Sequence, residues 1–244
     1  MITDIWTIMI KEWKELLRQR GSMRGGLVGV LVFVGAFGIF MPLQFGQDWV
    51  NSPTQLILWG WVPFLLITSV IADSFAGERE RRTLETLLAS RLSDRAILFG
   101  KVAAAISYGW GLTMVCLLIG LITMNVANWG GQIIFYPWQI FLGIIGISLL
   151  ISGLASGLGV LISLRASTVR QAQQTFSIAF MLLFLPMFLL PVLPKEWQGR
   201  LLIWVSNVDV NAILGIVVGV LFLVDVGLIA AAMARFKRAR LILD

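Results

Sequence analysis

Few side chains in this 244-residue chain are able to do chemistry, and they are unevenly placed. There is no histidine, which excludes His-based catalytic triads, His-ligated zinc or haem, and histidine proton relays. The single cysteine, Cys116, falls in an apolar run and has no partner for an intrachain disulfide, so an inert buried thiol is expected. One acid, Asp225, lies just past the middle of a long apolar stretch. A carboxylate there costs roughly 2.5–3.5 kcal/mol on membrane-insertion scales and needs a partner or water. Two roles fit: a gate or pathway residue, or a structural hydrogen bond to a Ser or Thr of a neighbouring helix.

The densest charge follows Asp73, in Phe75-Ala76-Gly77-Glu78-Arg79-Glu80-Arg81-Arg82-Thr83-Leu84-Glu85, then Leu87-Leu88. Alternating charge gives way to a short leucine stripe, Leu84, Leu87, Leu88 and Leu92, at helical spacing. Ser93 before Asp94 is a good N-cap for the next helix. A short helix with one apolar strip between charged flanks suits docking on a soluble surface. Alternatively, the strip lies on lipid or on the chain's own helix ends.

The elements that position these residues follow from composition. Apolar side chains make up 58% of the chain and charged ones 13%, against roughly a quarter charged in soluble domains. With a mean hydropathy of +0.89, a soluble fold of this size has too little interior to hide the apolar surface. The chain reads as an all-α integral membrane protein. A spanning helix needs about 20 mostly apolar residues, and six runs qualify: 25–45, 56–73, 100–124, 138–162, 175–193 and 211–233. Seventeen of the nineteen Lys and Arg fall on one side of that map. By the positive-inside rule that side is cytoplasmic and holds both termini. The same bias accounts for the net charge of +6, so no nucleic-acid partner is expected. Trp49, Trp59, Trp61, Trp129, Trp138, Trp197 and Trp204, with Tyr136, fall at the outer span ends and read as an aromatic belt.

Residues 1–20 read as an N-terminal amphipathic helix on the membrane surface. Ile2, Ile5, Trp6, Met9, Ile10, Trp13, Leu16 and Leu17 fall within an arc of roughly 140° at about 100° per residue. Lys11, Lys14, Asp4, Glu15 and Arg18 face away. Such a helix is too polar to span and too apolar to float, and acts either as an anchor, through Trp6 and Trp13, or as a lever. No cleavable signal peptide is expected. Small residues four apart, including Gly153 and Gly157, Gly215 and Gly219, and Ser148, Ser152 and Ser156, indicate close helix packing. Pro186, Pro191 and Pro194 break the end of span five, and 194–210 reads as a short outer helix dipping back into the interface. Residues 1–244 form one membrane domain, with 74–98 as a cytoplasmic segment between spans two and three.

That segment resembles the hallmark of type-2 ABC-transporter permeases, F-x-x-E-[KR]-E-[KR]-G-T-L-E followed by L-L and a later G-K, here Gly100-Lys101. The six-span layout with a surface helix is similar too. The family usually has glycine where Arg82 stands, a departure that bears on the local backbone turn. The resemblance implies a permease that pairs with cytoplasmic ABC ATPase subunits, the loop serving as coupling helix; an exporter is expected, and because six spans enclose a pathway poorly alone, so is pairing with a second permease copy or a homologous permease. It assigns ATPase coupling to Gly77, Glu78, Arg79, Glu80, Arg81, Thr83, Leu84, Glu85, Leu87 and Leu88. No catalytic, metal or cofactor site is expected in this chain; ATP and Mg belong to the partner. A phosphate-cradling G-x-x-x-x-G-K-[ST] loop is missing, because Arg95 and Val102 occupy its first and last positions around Gly100-Lys101. The alternative is a secondary transporter running on an ion gradient through Asp225, against which stand the missing inverted repeat and broken helices.

Overall fold

Apolar segments away from water must satisfy their backbone polar groups internally, and this chain does so with helices. The structure, a computed structural model, describes residues 1–18, 23–52, 55–189, 192–200 and 210–236, with no strand among them. In chain order the helices are α1 (Ile2–Arg18), α2 (Met23–Val34), a π-helical stretch (Gly35–Phe40), α3 (Met41–Phe45), α4 (Asp48–Asn51), α5 (Gln55–Glu80), α6 (Leu84–Leu88), α7 (Asp94–Ala127), α8 (Trp138–Ser163), α9 (Val169–Leu189) and α10 (Val210–Arg235). Residues 195–200 are also helical.

Among the described residues, five helices are long and apolar enough to cross a membrane: Val28–Phe45, Leu58–Glu80, Asp94–Ala127, Trp138–Ser163 and Leu214–Arg235. They coincide with expected spans one, two, three, four and six. The fifth expected span overlaps α9, which is not one of the five. Of the expected outer segment 194–210, Leu201, Leu202, Trp204 and Val205 lie outside the described residues.

The spans are not equivalent. The apolar windows of α5 and α8 are 65% and 61% buried, whereas those of the first and last spans are 11% buried. α5 and α8 therefore form the centre, and the first span and α10 line the periphery. Glycine makes the central crossings possible: a Cβ at Gly159 would run into Ile71 of α5, and one at Gly109 into Ile67. α10 meets α8 where Gly157 faces Leu228 and Gly153 faces Asp225, so this expected small-residue pair is a packing seam. Gly215 and Gly219 face open space instead. In the first span the π-helical stretch ends at Phe40, and Pro42 in the first turn of α3 has no N–H for the carbonyl of Gly38. The Thr123 hydroxyl of α7 donates to that carbonyl at 2.9 Å and ties the peripheral span to the bundle.

The apolar core has two parts. The inner cluster, at the charged end, joins Ile8, Phe64, Ile71, Phe75, Ile97 and Val160. The outer cluster gathers Trp49, Trp59, Cys116, Met124 and Ile144. Trp49 and Trp59 are fully buried, with ring centroids 5.6 Å apart at 72°. They are core residues and not members of an interfacial belt, a correction that arises because span one folds back over span three. Trp61 stacks on Phe180 at 5.6 Å. Trp129, Trp138 and Trp197 are exposed, as a belt requires.

Candidate functional site

α5 does not stop at Asp73. It continues to Glu80, about 10 Å further at 1.5 Å per residue, so the start of the 74–98 segment is one helix with the second span. It ends in a Schellman turn: the Thr83 N–H donates to the Glu78 carbonyl at 2.8 Å and the Arg82 N–H to the Arg79 carbonyl at 3.0 Å. That motif places its penultimate residue in the left-handed region, and Arg82 has φ 56°, the only positive φ at a non-glycine among the described residues. The turn that the family pattern builds with glycine is thus kept with arginine.

Gly77 is small for a reason. Arg81 reaches back 3.2 Å to the Asp73 carboxylate, and a Cβ on Gly77 would strike that carboxylate. Beyond the turn comes α6. Leu84 is 6% exposed and belongs to the inner cluster, with Leu87 and Leu92 packed against it in part. The side chain of Leu88 lies outside the described residues. Leu84 therefore belongs to the chain's own core, the second of the two placements open for the leucine strip; Arg82, Thr83, Glu85 and Thr86 are exposed on α6 and its turn. Ser93 caps α7 as expected, accepting from the Ala96 N–H at 3.2 Å.

Glu78 also faces inward, at 5% side-chain exposure. The nearly inaccessible ammonium of Lys101 lies 3.0 Å from Glu78 and 2.8 Å from Glu12 of α1. It also donates to the Ser74 carbonyl at 2.7 Å and stands 5.1 Å from the centre of the Phe75 ring. Lys11 closes the group, 3.1 Å from Glu78 and 3.3 Å from Glu15. Glu78 thus belongs to an internal clamp of α1, α5 and α7. Burial works to lower the Lys11 pKa, but Glu78, Glu12 and Glu15 outweigh it and the net shift is upward. Removing one member of a buried pair strands the other, at a cost of about 3–5 kcal/mol.

The remaining hallmark residues explain α1 and the α8–α9 turn. At Gly100 a Cβ would come within 2.6 Å of Ile8, so glycine lets α1 lie directly on α7. The Trp13 indole donates to Ser107 at 2.9 Å and meets the Tyr108 ring edge-on. Trp6 stays 60% exposed. The apolar arc of α1 is therefore divided: Ile5, Ile8 and Leu16 pack on the bundle, while Ile2, Trp6 and Ile10 remain outside. Arg79 donates to the Ala166 and Leu164 carbonyls at 2.8 and 3.0 Å, just past the C-terminus of α8. Glu80 accepts from the Val169 N–H at 3.0 Å, at the N-terminus of α9. The Ser163 hydroxyl bridges a rung of α5, accepting from Ala76 at 2.9 Å and donating to Ala72 at 3.1 Å.

Sequence reasoning missed Glu12 and Ser163. Only the helical period of α1 and the serine rows of α8 hinted at them. Between α1 and α6 a cleft of about 540 Å³ opens, lined by Lys11, Glu15, Glu78, Arg81, Thr86 and Leu87. Away from this end, Asp225 is buried against Gly153 of α8. No group of three or more Cys, Asp or Glu side chains able to hold a metal occurs among the described residues.

These features, several apolar spans around a helix end clamped by alternating charge, are those of a multi-pass membrane protein. The ABC-2 family transporter domain matches residues 6–203, from α1 through the α9 region, and the chain belongs to that family. The ABC transporter permease protein NatB of Bacillus subtilis (strain 168) is 28% identical to it over 153 residues, 58% of this chain and 39% of that protein. The match thus spans about two fifths of the length of that curated relative.

Proposed function

We propose that this permease is the pathway-forming subunit of an ATP-driven exporter, working as a pair with a second copy or a homologous permease. In this reading six spans cross the membrane, α9 being the fifth, and both termini are cytoplasmic. Cytoplasmic ABC ATPase subunits, which carry ATP and Mg, dock on α6 and its flanking turn. The observation that carries the reading is the polar, outward face of α6, held by a helix end fastened to four other helices. Within the coupling segment, Arg82, Thr83, Glu85 and Thr86 meet the ATPase, with Leu87 at the edge of the α1 cleft. Gly77, Glu78, Arg81 and Leu84 hold that surface in place, whereas Arg79 and Glu80 tie the end of α5 to the α8–α9 turn. The exposed Trp6 anchors α1 in lipid, and Trp13 pins α1 to α7. Asp225 packs α10 against α8. Family membership favours ATP as the energy source over an ion gradient through Asp225.

The test is co-purification. The tagged chain, solubilised in mild detergent, should bring down a soluble ABC ATPase whose hydrolysis rate changes on binding. Recovery of the permease alone, with proton-gradient-driven uptake and no nucleotide dependence in vesicles, would replace this reading with the secondary transporter. Orientation is checked by single cysteines in a Cys116→Ser background. Those at Gln47 and Asn128 should react with an impermeant thiol reagent outside intact cells, and one at Thr168 should not.

A further inference from the structure

Arg79 and Glu80 are consecutive residues of opposite charge, and each meets the helix end of opposite polarity. Arg79 places both terminal guanidinium nitrogens on carbonyls of the C-cap Leu164 and of Ala166, just past the C-terminus of α8, and Glu80 places a carboxylate oxygen on the first N–H of α9. Cations are favoured at helix C-termini and anions at N-termini, because the unpaired carbonyls and N–H groups there carry partial charge. Charge-assisted bonds of this kind are about twice as strong as neutral ones. The contact is reinforced on its inner side, where Ala72 and Ala76 of α5 pack on Ala166 and Ala172. The Ser163 bridge lies immediately beside it. The end of α5 is thus continuous with α6 in one direction and fastened to the start of α9 in the other.

From this geometry we infer that Arg79 and Glu80 are positioning residues that transmit displacement of α6 to α9, and are not contacts to the ATPase. The inference rests on the docking reading above and deepens it. When the ATPase moves α6, the end of α5 moves with it. The paired helix ends oblige the α8–α9 turn to follow, and α9 is re-aimed in the membrane. Glu80 and Val169 stay together throughout the cycle.

The experiment uses the permease–ATPase complex in lipid nanodiscs, with spin labels at Ile122 of α7 and Leu182 of α9, both exposed, in the Cys116→Ser background. ATP-plus-vanadate trapping should shift the interlabel distance in the parent. Glu80→Ala should abolish the shift while ATPase pull-down stays unchanged, and Glu80→Gln, which keeps an acceptor oxygen, should restore it. A second measurement avoids weakening the contact: Glu80→Cys with Val169→Cys, joined by a short bismaleimide, should keep hydrolysing ATP at the unlinked rate. A shift that survives Glu80→Ala, loss of pull-down in that variant, or arrest of hydrolysis by the cross-link would each overturn the inference. An intact parent complex with any of these results would leave the docking reading standing.

Discussion

The two ends of the bundle are held together in different ways. At the outer end, Trp49, Trp59, Met124 and Ile144 pack as an apolar cluster whose contacts are largely non-directional. At the charged end, named atoms of α1, α5, α7, the α8–α9 turn and α9 meet through ion pairs and charge-assisted hydrogen bonds at 2.7–3.3 Å. Apolar packing tolerates small sliding, whereas a network of paired charges has few alternative arrangements and breaks at a large cost. An end built from such pairs moves as a unit. That is the property required where a soluble subunit pushes on a membrane bundle.

This contrast can be broken most severely at Lys101. Lys101→Met leaves Glu12 and Glu78 only the half-exposed Lys11 as a cation and should lower stability by up to about 3–5 kcal/mol, read as a fall in melting temperature in detergent. Adding Glu78→Gln and Glu12→Gln should recover much of the loss, because no buried charge is then left unpaired. Because the Lys11 pKa is raised, its contribution is complete below the ordinary value of 10.5 and is lost only as pH rises through the higher folded value. Melting temperature should therefore show no loss from Lys11 across the neutral range.

At the other end, Trp49→Ala opens a cavity in the outer cluster and should cost about 3 kcal/mol, with no effect on ATPase association. Trp129→Ala, at an exposed ring, should fall within about 0.5 kcal/mol of the parent. Equal losses at the two tryptophans would erase the distinction between core and belt. An effect of opposite sign is expected at the turn. Arg82→Gly removes a side chain from left-handed backbone and should raise stability by up to about 1 kcal/mol. A fall in melting temperature would mean that the Arg82 side chain holds the turn by a contact of its own.

Much of this was legible in the sequence because it depends on local pattern. Run lengths gave the helices, charge placement gave the segment after Asp73, and the Ser93 cap followed from residue type. Periodicity assigns a residue to a face of its own helix, but it does not say which helix crosses that face. Glu78 and Lys101 were both visible as hallmark residues; their meeting with Glu12, on a helix more than sixty positions earlier, was not. Trp49 and Trp59 sat at belt height by counting, and only the fold of span one over span three showed them to be buried. The leucine stripe looked like a docking strip because inward and outward faces of a five-residue helix cannot be told apart without its neighbours.

The central claim is that the outward face of α6, and not the leucine stripe, receives the ATPase. Thr86→Trp adds bulk to that exposed face without touching the inner cluster. Pull-down and titration of the co-purifying ATPase against this variant, beside Trp129→Phe as a control, measure the claim directly. The expected result is an affinity loss of at least about tenfold, which is 1.4 kcal/mol, with an unchanged melting temperature. Undiminished affinity and unaltered ATPase stimulation in Thr86→Trp would contradict it.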